Sequence, residues 1–249
     1  MIVETDDDLQ KLKVIGKIVA NVLKQTASAI EPGITPLELD KIARALLEKD
    51  GARSAPESVY NFPGATCISV NEAIAHGIPD DRPIRPGDLV NIDVSAEKDG
   101  IFADNGASFP VPPVRSDIDR LCKDGRKALN VGLEQVGAGK PFAGIGNAIG
   151  RFAKKRGYTL IENLAGHGIG HTLHDEPTAI PSWPNKASRK MKEGVVFAIE
   201  PFLSLGGEWA HEVEGDKWTL HAAPLAPTVQ YEHTVVATRS GPLILTIAD

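Results

Sequence analysis

The segment GHGIGHTLH, residues 166–174, places three histidines in nine positions, and three of the other six residues are glycines. A neutral imidazole is a common ligand of transition metals, and it can also exchange a proton near neutral pH. Glycines flank His167 on both sides and allow its backbone to come close to a site, so we expect His167 to be a metal ligand. His174 lies seven residues further on and is expected to reach a substrate. His76, in AHGIP, takes the matching place in the first half of the chain.

Four acidic residues interrupt apolar runs of the sequence. They are Asp93 in VNIDVS, Asp104 in IFADNG, Glu200 in FAIEPF and Glu232 in VQYEHTVV. An ionised carboxylate in a buried strand is costly unless it is paired or metal-bound. If the four converge, their repulsion forces protonation unless cations compensate, and two divalent ions supply the four positive charges needed. Two Asp, two Glu and one His suit a pair of Mn, Fe, Co or Zn ions better than a structural zinc site.

These residues carry a resemblance to a known family. The segments NIDVSAEKDGIFAD, GHGIGHTLH, FAIEP and QYEHT resemble the successive motifs of the type I methionine aminopeptidases, over about residues 5–247. The resemblance implies the pita-bread fold and a dinuclear site in which Asp104 and Glu232 bridge both ions. The full ligand set it implies is Asp93, Asp104, His167, Glu200 and Glu232. It also implies that His76 and His174 are catalytic histidines that face the substrate.

The resemblance further implies a reaction, the hydrolysis of the first peptide bond of nascent proteins and peptides that begin with methionine and carry a small second residue. Glu200 would relay a proton from the attacking water to the leaving amine, while His76 and His174 hydrogen-bond the scissile amide. The requirement for a small second residue also predicts that this chain keeps its own Met1. Ile2 is β-branched and cannot easily rotate out of a clash with the residues around the scissile bond. The pocket for the methionine side chain is expected to contain Val59, Phe62, Cys67, Leu173 and Trp218.

Two features depart from the pattern of the family. Val59 and Leu173 stand where aromatic residues are usual, so we expect a wider pocket that accepts norleucine or leucine. Asn105 follows the second aspartate, where Thr or Ser is common, so a hydroxyl beside the metals is expected to be missing and the metal affinity to be shifted.

The elements that must position these residues occur in a repeated order. Apolar residues at helical spacing predict one helix from Asp6 to Ala29 and a second from Pro36 to just before Gly51, each with a capping signal at its start. Short runs rich in β-branched residues, TCISV, DLVNIDVS and IFADNGASFPV, predict strands. From residue 116 onward a helix, a glycine-marked break and a second helix recur, and the second helix stops at Gly157.

The repetition extends to individual positions. The sequence offset that aligns Gly33 with Gly139 also aligns Leu39 with Ile145, Leu46 with Phe152 and Gly51 with Gly157. We therefore expect one catalytic domain, residues 1–249, built from two copies of a helix-helix-strand unit at about 5–112 and 113–249, related by a pseudo-twofold axis. The expected fold class is α+β, with helices covering one side of a mostly antiparallel, curved sheet.

Composition narrows the possible partners and compartment. With 42% hydrophobic and 24% charged residues the chain is an ordinary globular protein, and its net charge of −6 offers no surface for a phosphate backbone, so nucleic acid is not an expected partner. Cys67 and Cys122 are the only cysteines, which fits a reducing compartment. The start MIVETDDDLQ has no export signal, and no apolar run is long enough to span a membrane. We expect a cytoplasmic monomer, without an N-terminal zinc-binding extension, that contacts the ribosome at most transiently.

Other functions stay open at this point. Proline-directed aminopeptidases of the same fold use the same five ligands, although they usually carry an additional N-terminal domain. A metal-free peptide-binding relative, or a creatinase-like hydrolase, would be expected to have lost ligands that this chain keeps. A metal titration separates an enzyme from a binding protein, and peptides beginning Met-Ala or Ala-Pro separate the two peptidases.

Overall fold

The computed structural model describes residues 1–249 and contains five α-helices and fifteen β-strands. The helices are α1 (Asp6–Ser28), α2 (Pro36–Lys49), α3 (Ala55–Tyr60), α4 (Ser116–Leu133) and α5 (Ala143–Arg156). The strands before α4 are β1 (Arg53–Ser54), β2 (Cys67–Val70), β3 (Ala73–Ala75), β4 (Leu89–Lys98) and β5 (Ile101–Pro110). The strands after α5 are β6 (Thr159–Leu160), β7 (Gly166–Gly168), β8 (Asp175–Ile180), β9 (Val196–Ile199), β10 (Phe202–Ser204), β11 (Trp209–Glu212), β12 (Leu220–Ala223), β13 (Thr228–Gln230), β14 (His233–Thr238) and β15 (Gly241–Ile244). None of the helices combines the length and apolar character needed to cross a bilayer.

The first two helices begin where their capping signals predict. The Thr5 hydroxyl accepts a hydrogen bond from the backbone N–H of Asp8, whose carboxylate accepts one in return from the backbone of Thr5. Thr35 and Glu38 form the same capping box at the start of α2, with Pro36 in its first turn. Each box satisfies N–H groups that have no partner inside the helix, so the local sequence fixes both helix starts. The predicted positions of these two helices are confirmed.

Helix α3 is a short element that the sequence patterns did not predict. The Ser54 hydroxyl caps it by accepting from the backbone N–H of Glu57, and the helix ends at Asn61, which adopts a left-handed conformation with φ 56°. Both oxygens of the Glu57 carboxylate accept from the Arg44 guanidinium of α2, at 2.6 and 2.7 Å. The cap and this bidentate ion pair hold α3 against α2. Tyr60, the last residue of α3, therefore has a defined position.

Two larger sheets form the centre of the molecule. In the first, β5 pairs with one edge of β4, and β1 and β2 share the other edge. The second sheet has the order β15-β14-β9-β7-β8. Two three-stranded sheets, β13-β10-β6 and β11-β12-β3, lie beside them, and every strand pair is antiparallel. The predicted α+β class with mostly antiparallel pairing is confirmed, although the strands are divided among four sheets.

Each pair of long helices covers one of the larger sheets. Apolar residues of α1 and α2, including Leu12, Ile15 and Leu39, share one core with Ile92 and Val94 of β4. A second core joins α4 and α5 to the strands β9 and β14, and its largest fully buried side chain is Phe197. Burial of this apolar surface is the main favourable contribution to folding, and it fixes both sheets from their helix-covered side.

The two halves correspond in more than their helices. Gly33 and Gly139 have φ values of +102° and +84°, and Gly51 and Gly157 have +69° and +78°. A left-handed backbone therefore precedes and ends the second helix of each half, at the positions that the sequence offset pairs. The same offset carries β1 onto β6. These correspondences support the proposal that residues 5–112 and 113–249 are copies of one unit.

The first residue of the chain is built into the fold. Met1 is 7% exposed, and its amino group donates to the Asp175 carboxylate at 2.7 Å. Its carbonyl accepts from the backbone N–H of Val196 at 3.1 Å, and Ile2 forms a β-bridge with Val195. Asp175 begins β8 directly after His174, so this contact ties the start of the chain to the segment that carries a predicted functional histidine.

Replacing Asp175 by Asn should therefore destabilise the protein, because the amino group of Met1 loses its charged partner while it stays buried. A hydrogen bond to a charged group contributes about 1.5 to 3 kcal/mol, and we expect a loss in that range in urea unfolding at pH 7. Asp119→Asn removes an exposed ion pair with Lys123 and serves as the control, with a change of about 0.5 kcal/mol or less. Equal stabilities of the two variants would show that the Met1 contact contributes nothing.

Candidate metal centre and substrate cavity

Two of the four predicted carboxylates lie on the hairpin formed by β4 and β5. Asp93 is opposite Gly106, and Ser95 is opposite Asp104. Residues two apart in a strand share a face, so Asp93 and Asp104 are diagonal neighbours on the same side of the hairpin. The register of one hairpin thus brings two carboxylates together that are eleven positions apart in the sequence.

The other two carboxylates belong to the second sheet. Glu200 directly follows β9 and Glu232 directly precedes β14, and these strands are paired so that His233 lies opposite Ile199. Adjacent strands thus carry both glutamates at the same end. The backbone N–H of Glu232 also donates to the carbonyl of Gly106 in β5 at 2.8 Å. This bond fixes the glutamate pair against the aspartate pair, across the junction of the two sheets.

His167 lies between the two pairs of carboxylates. Its Nε2 is 3.8 Å from Asp104 Oδ2 and 3.8 Å from Glu200 Oε1. Its Nδ1 is 3.0 Å from the Gly168 carbonyl oxygen. A carbonyl can only accept, so Nδ1 carries the proton and the lone pair of Nε2 points toward the carboxylates. This is the tautomer that a metal-binding histidine needs.

The cluster has the composition and burial of a metal site. Ligand atoms of Asp104, His167 and Glu232 all lie within 4.8 Å of one another, and the three residues are 5%, 5% and 2% exposed. The buried Oδ1 of Asp93 and Oε1 of Glu232 have no hydrogen-bond partner. A buried carboxylate oxygen without a partner is strongly disfavoured. The residues present therefore fit divalent cations, which would satisfy both oxygens and the lone pair of His167.

The pKa values of these carboxyl groups reflect the repulsion between their negative charges. Burial, together with the nearby charge of Asp104, raises the pKa of Asp93, Glu200 and Glu232 well above the usual range of a carboxyl group. Without cations the protein reduces the repulsion by holding protons on these groups. The thiol of Cys67, directly opposite Asp93, has its pKa raised well above normal by burial and then by that carboxylate, so it stays neutral.

Gln230 is a supporting residue that the sequence patterns did not reveal. Its amide nitrogen donates to Glu232 Oε2 at 2.9 Å and lies 3.4 Å from Asp93 Oδ2. Its amide oxygen accepts from the Asn91 side chain at 2.8 Å. A Cβ on Gly106 would overlap this amide, so glycine leaves the room that it occupies. The only signal in the sequence is that Gln230 is a polar residue two positions before Glu232.

The glycines on either side of His167 have a different purpose from the one expected. A Cβ on Gly166 would overlap the Ala198 carbonyl oxygen, and one on Gly168 would overlap the backbone of Glu176. The close contacts are therefore with neighbouring strands of the sheet. The glycines let β7 pack tightly between β8 and β9, and this packing holds His167 in place.

Asn105 lies on the opposite face of β5 from Asp104. It lines a second cavity beside α1 and α4, which Glu232 also lines, whereas Asp104 lines the cavity over the cluster. The hydroxyl that was expected to be missing has a counterpart on the opposite strand, because the Ser95 hydroxyl donates to Asp104 Oδ1 at 2.9 Å. One oxygen of Asp104 is thus oriented by a hydroxyl, and the other faces His167.

A cavity of about 250 Å³ opens above the cluster. The Phe62 and Trp218 rings meet edge to face, with centroids 5.3 Å apart. Phe62, Cys67 and Leu173 are 4%, 9% and 4% exposed, so one part of the wall is apolar and firmly packed. The lining residues are Pro56, Tyr60, Phe62, Cys67, His76, Asp93, Ser95, Asp104, His167, Leu173, His174, Glu200 and Trp218.

Val59 does not line this cavity, contrary to expectation. Its side chain is on the outer side of α3 and is 41% exposed. Successive residues of a helix point about 100° apart, and it is the next residue, Tyr60, that faces the cavity. An aromatic ring therefore stands where we expected a small aliphatic one. The prediction of a wider pocket then rests on Leu173 alone.

The two predicted catalytic histidines both line the cavity. His76 has φ 51°, a left-handed conformation that is uncommon for a residue with a side chain and is often found at functional sites. Burial lowers the pKa of His76, and burial followed by the proximity of His167 lowers that of His174 to about 4. Both imidazoles are therefore neutral at pH 7. The rings of His174 and His167 have centroids 4.2 Å apart.

Comparison with known proteins identifies the family of this chain. Residues 10–239 match the family described as Metallopeptidase family M24. The chain is 43% identical over 248 residues to "Methionine aminopeptidase 2" of Bacillus subtilis (strain 168), with 99% of each chain covered. The crystal structure of methionine aminopeptidase from Rickettsia prowazekii superposes with a TM-score of 0.94 at 32% identity, covering 99% of this chain and 100% of that one. The prolidase from Pyrococcus furiosus shares the fold, with a TM-score of 0.79 at 22% identity, and the alignment covers 66% of its length.

The raised pKa values predict that binding of a divalent metal releases protons. In the metal-free protein Asp93, Glu200 and Glu232 keep their protons to higher pH than ordinary carboxyl groups, and an ion must displace any proton it meets there, because only the ionised carboxylate is a ligand. Titration of chelator-treated protein with Zn²⁺ should therefore give a heat that depends on the ionisation enthalpy of the buffer. Glu200→Gln should release fewer protons. Identical heats in buffers of different ionisation enthalpy would contradict the predicted protonation of the metal-free site.

Proposed function

The chain belongs to metallopeptidase family M24, and we propose that it removes the initiator methionine from peptides and nascent proteins whose second residue is small. The observation that carries this proposal is a cluster of four carboxylates and a histidine beneath an apolar cavity. Its relatives that match over their full length are methionine aminopeptidases. The proposed natural substrates are the N-terminal segments of nascent chains in the cytoplasm. The enzyme would contact the ribosome at most transiently.

The proposed site would hold two divalent ions. The residues that would hold them are Asp93, Asp104, His167, Glu200 and Glu232, with Asp104 and Glu232 shared between the two ions. The partnerless oxygens of Asp93 and Glu232 and the free Nε2 of His167 support this assignment. The ions would be Mn, Fe, Co or Zn, all of which accept carboxylate and imidazole ligands.

The apolar part of the cavity would take the methionine side chain. Phe62 and Trp218 present ring surfaces, and aromatic rings make favourable contacts with a thioether. Cys67 and Leu173 complete this wall, and Tyr60 adds a third ring near the mouth. Because Tyr60 is present where Val59 was expected, the pocket is lined by aromatic groups on more than one side.

Bound divalent ions supply Lewis acidity, which activates a water molecule and polarises the carbonyl of the first peptide bond. The residues of the chain then have separate tasks. Glu200, at the cavity floor, would accept the proton of the attacking water and pass it to the leaving amine. His76 and His174, which are neutral, would donate hydrogen bonds to the scissile amide and stabilise the charge that develops on it.

A proline-directed aminopeptidase is the second candidate function. It rests on the likeness of fold to the prolidase, which is a longer chain of 22% identity. The decisive measurement is cleavage of Met-Ala-Ser against an Ala-Pro peptide, combined with metal analysis of the purified protein. Faster cleavage of the Ala-Pro peptide would overturn the proposed function, and protein that neither binds metal nor cleaves either peptide would indicate a binding protein.

Replacing Asp104 with Asn should remove about one equivalent of metal, since the variant loses a charged group that both ions need. A loss of about 3 kcal/mol of transition-state stabilisation corresponds to a hundredfold, and we expect turnover of Met-Ala-Ser to fall at least that far. Elemental analysis and peptide cleavage measure the two effects. Asp119→Asn, on the exposed face of α4, should keep both properties. An Asp104→Asn variant with two ions and normal turnover would rule out Asp104 as a ligand that both ions need.

The rule for a small second residue predicts a large difference between Met-Ala-Ser and Met-Ile-Ser. The branched side chain of isoleucine would clash near His76 and His174, and its stiff first torsion leaves it little room to adapt. Crowding of about 3 kcal/mol in the transition state slows cleavage by roughly a hundredfold. Rates of methionine release from the two peptides, measured with the same enzyme preparation, give the ratio. Comparable rates for the two peptides would show that this enzyme does not require a small second residue.

A further inference from the structure

Tyr60 contacts His174, and the proposed reaction gives this contact no role so far. Its hydroxyl oxygen lies 2.5 Å from Nδ1 of His174, and the two rings are tilted by 51° with centroids 5.6 Å apart. No other residue forms a hydrogen bond with either of these two atoms in the structure. The contact joins the end of α3 to the segment between β7 and β8, which are far apart in the sequence.

The chemistry of the two groups decides which of them donates. The lone pair of a phenol oxygen is delocalised into its ring, so the hydroxyl is a good donor and a weak acceptor. An unprotonated imidazole nitrogen is a good acceptor. The favoured arrangement has the Tyr60 O–H donating to an unprotonated Nδ1 of His174. In a neutral imidazole the proton must then be on Nε2, across the ring.

We propose that Tyr60 is a positioning residue that sets the tautomer of His174, so that this histidine presents an Nε2–H donor to the scissile amide. The inference rests on the role proposed for His174 in the reaction. Tyr60 itself is not required to touch the reacting bond. Its hydroxyl selects, from two nearly equivalent forms of the ring, the one that can donate.

The adjacent His167 shows why this selection matters. His167 donates from Nδ1 to the Gly168 carbonyl, which leaves Nε2 free as a ligand. His174 has a phenol at the same ring position, and its Nε2 is therefore protonated. The two rings are 4.2 Å apart between centroids, yet only one of them offers a lone pair on Nε2. Without the Tyr60 hydroxyl, no hydrogen bond at Nδ1 would hold the proton of His174 on Nε2.

The position of Tyr60 is set by the fold independently of His174. Ser54 caps α3, and the Arg44–Glu57 ion pair fixes its middle. Tyr60 is 41% exposed, so the hydroxyl can be removed without opening a cavity in a core. Tyr60→Phe keeps the ring in the wall of the cavity and removes only the donor. It is therefore the sharpest single change for the test.

Nitrogen-15 NMR of histidine-labelled, Zn²⁺-loaded protein at pH 7.5 reads the tautomer directly, and the His174→Ala spectrum assigns the signal. We expect His174 to be protonated at Nε2 in the wild type and to become a mixture of both tautomers in Tyr60→Phe. Tyr158→Phe removes a hydroxyl that donates to Asp124 at 3.0 Å, and this control should leave the His174 signals unchanged. An unaltered tautomer in Tyr60→Phe, or protonation at Nδ1 in the wild type, overturns the proposal.

Kinetics supply the second readout. Tyr60→Phe should lower kcat for Met-Ala-Ser by on the order of tenfold, the lower end of what removing an outer hydrogen-bond partner of an active-site histidine costs, with KM within about twofold. In the His174→Ala background the same change should have no further effect on kcat, because the two residues act as a unit. Additive losses would overturn the positioning role. Full activity of His174→Ala would instead reject the role proposed for that histidine in the reaction, while the NMR result still decides what Tyr60 does.

Discussion

Four carboxylates, two buried and two partly buried, surround one histidine and impose the constraint on which the rest of this structure depends. Asp104 and Glu232 are 5% and 2% exposed, and two of the carboxylate oxygens have no partner at all. Such a cluster is repulsive by itself, and protons or cations must compensate it. The surrounding framework therefore has to hold like charges together, rigidly enough that an ion finds them in place. This requirement explains why the site lies at the junction of two sheets, each covered by its own pair of helices.

The framework meets the requirement through register and close backbone packing. Asp93 and Asp104 are brought together by the pairing of β4 with β5, and a shift of one residue would turn one of them to the other face. His167 is held by a strand whose glycines permit backbone contacts that any side chain would obstruct. Gln230 then spans the gap between Asp93 and Glu232 with a single amide. Geometry on both sides of the site is thus determined by strands, which are stiffer supports than loops.

The sequence was informative where a local pattern carries the structural cause. The starts of α1 and α2, the antiparallel hairpin and the carboxylates that interrupt apolar strands follow from capping boxes, alternation and the cost of buried charge. It was uninformative where the cause is tertiary. Val59 and Tyr60 are neighbours in the sequence, and only the direction of the unpredicted helix α3 decides which one faces the cavity. Similarly, nothing in the sequence pairs Gln230 with Asp93, because their contact depends on how the two sheets meet.

The two histidines at the centre show how such tertiary contacts create chemistry from identical side chains. His167 and His174 belong to one nine-residue segment, and their rings are in contact. The atom next to Nδ1 differs: a backbone carbonyl in one case and a phenol hydroxyl in the other. A carbonyl can only accept and a phenol preferentially donates, so the proposed roles follow: the same ring would be a ligand in one position and a donor in the other. In the proposed reaction, the partners of the two histidines would therefore decide which of them binds metal and which binds substrate, and one of these partners comes from a helix more than a hundred residues away in the chain.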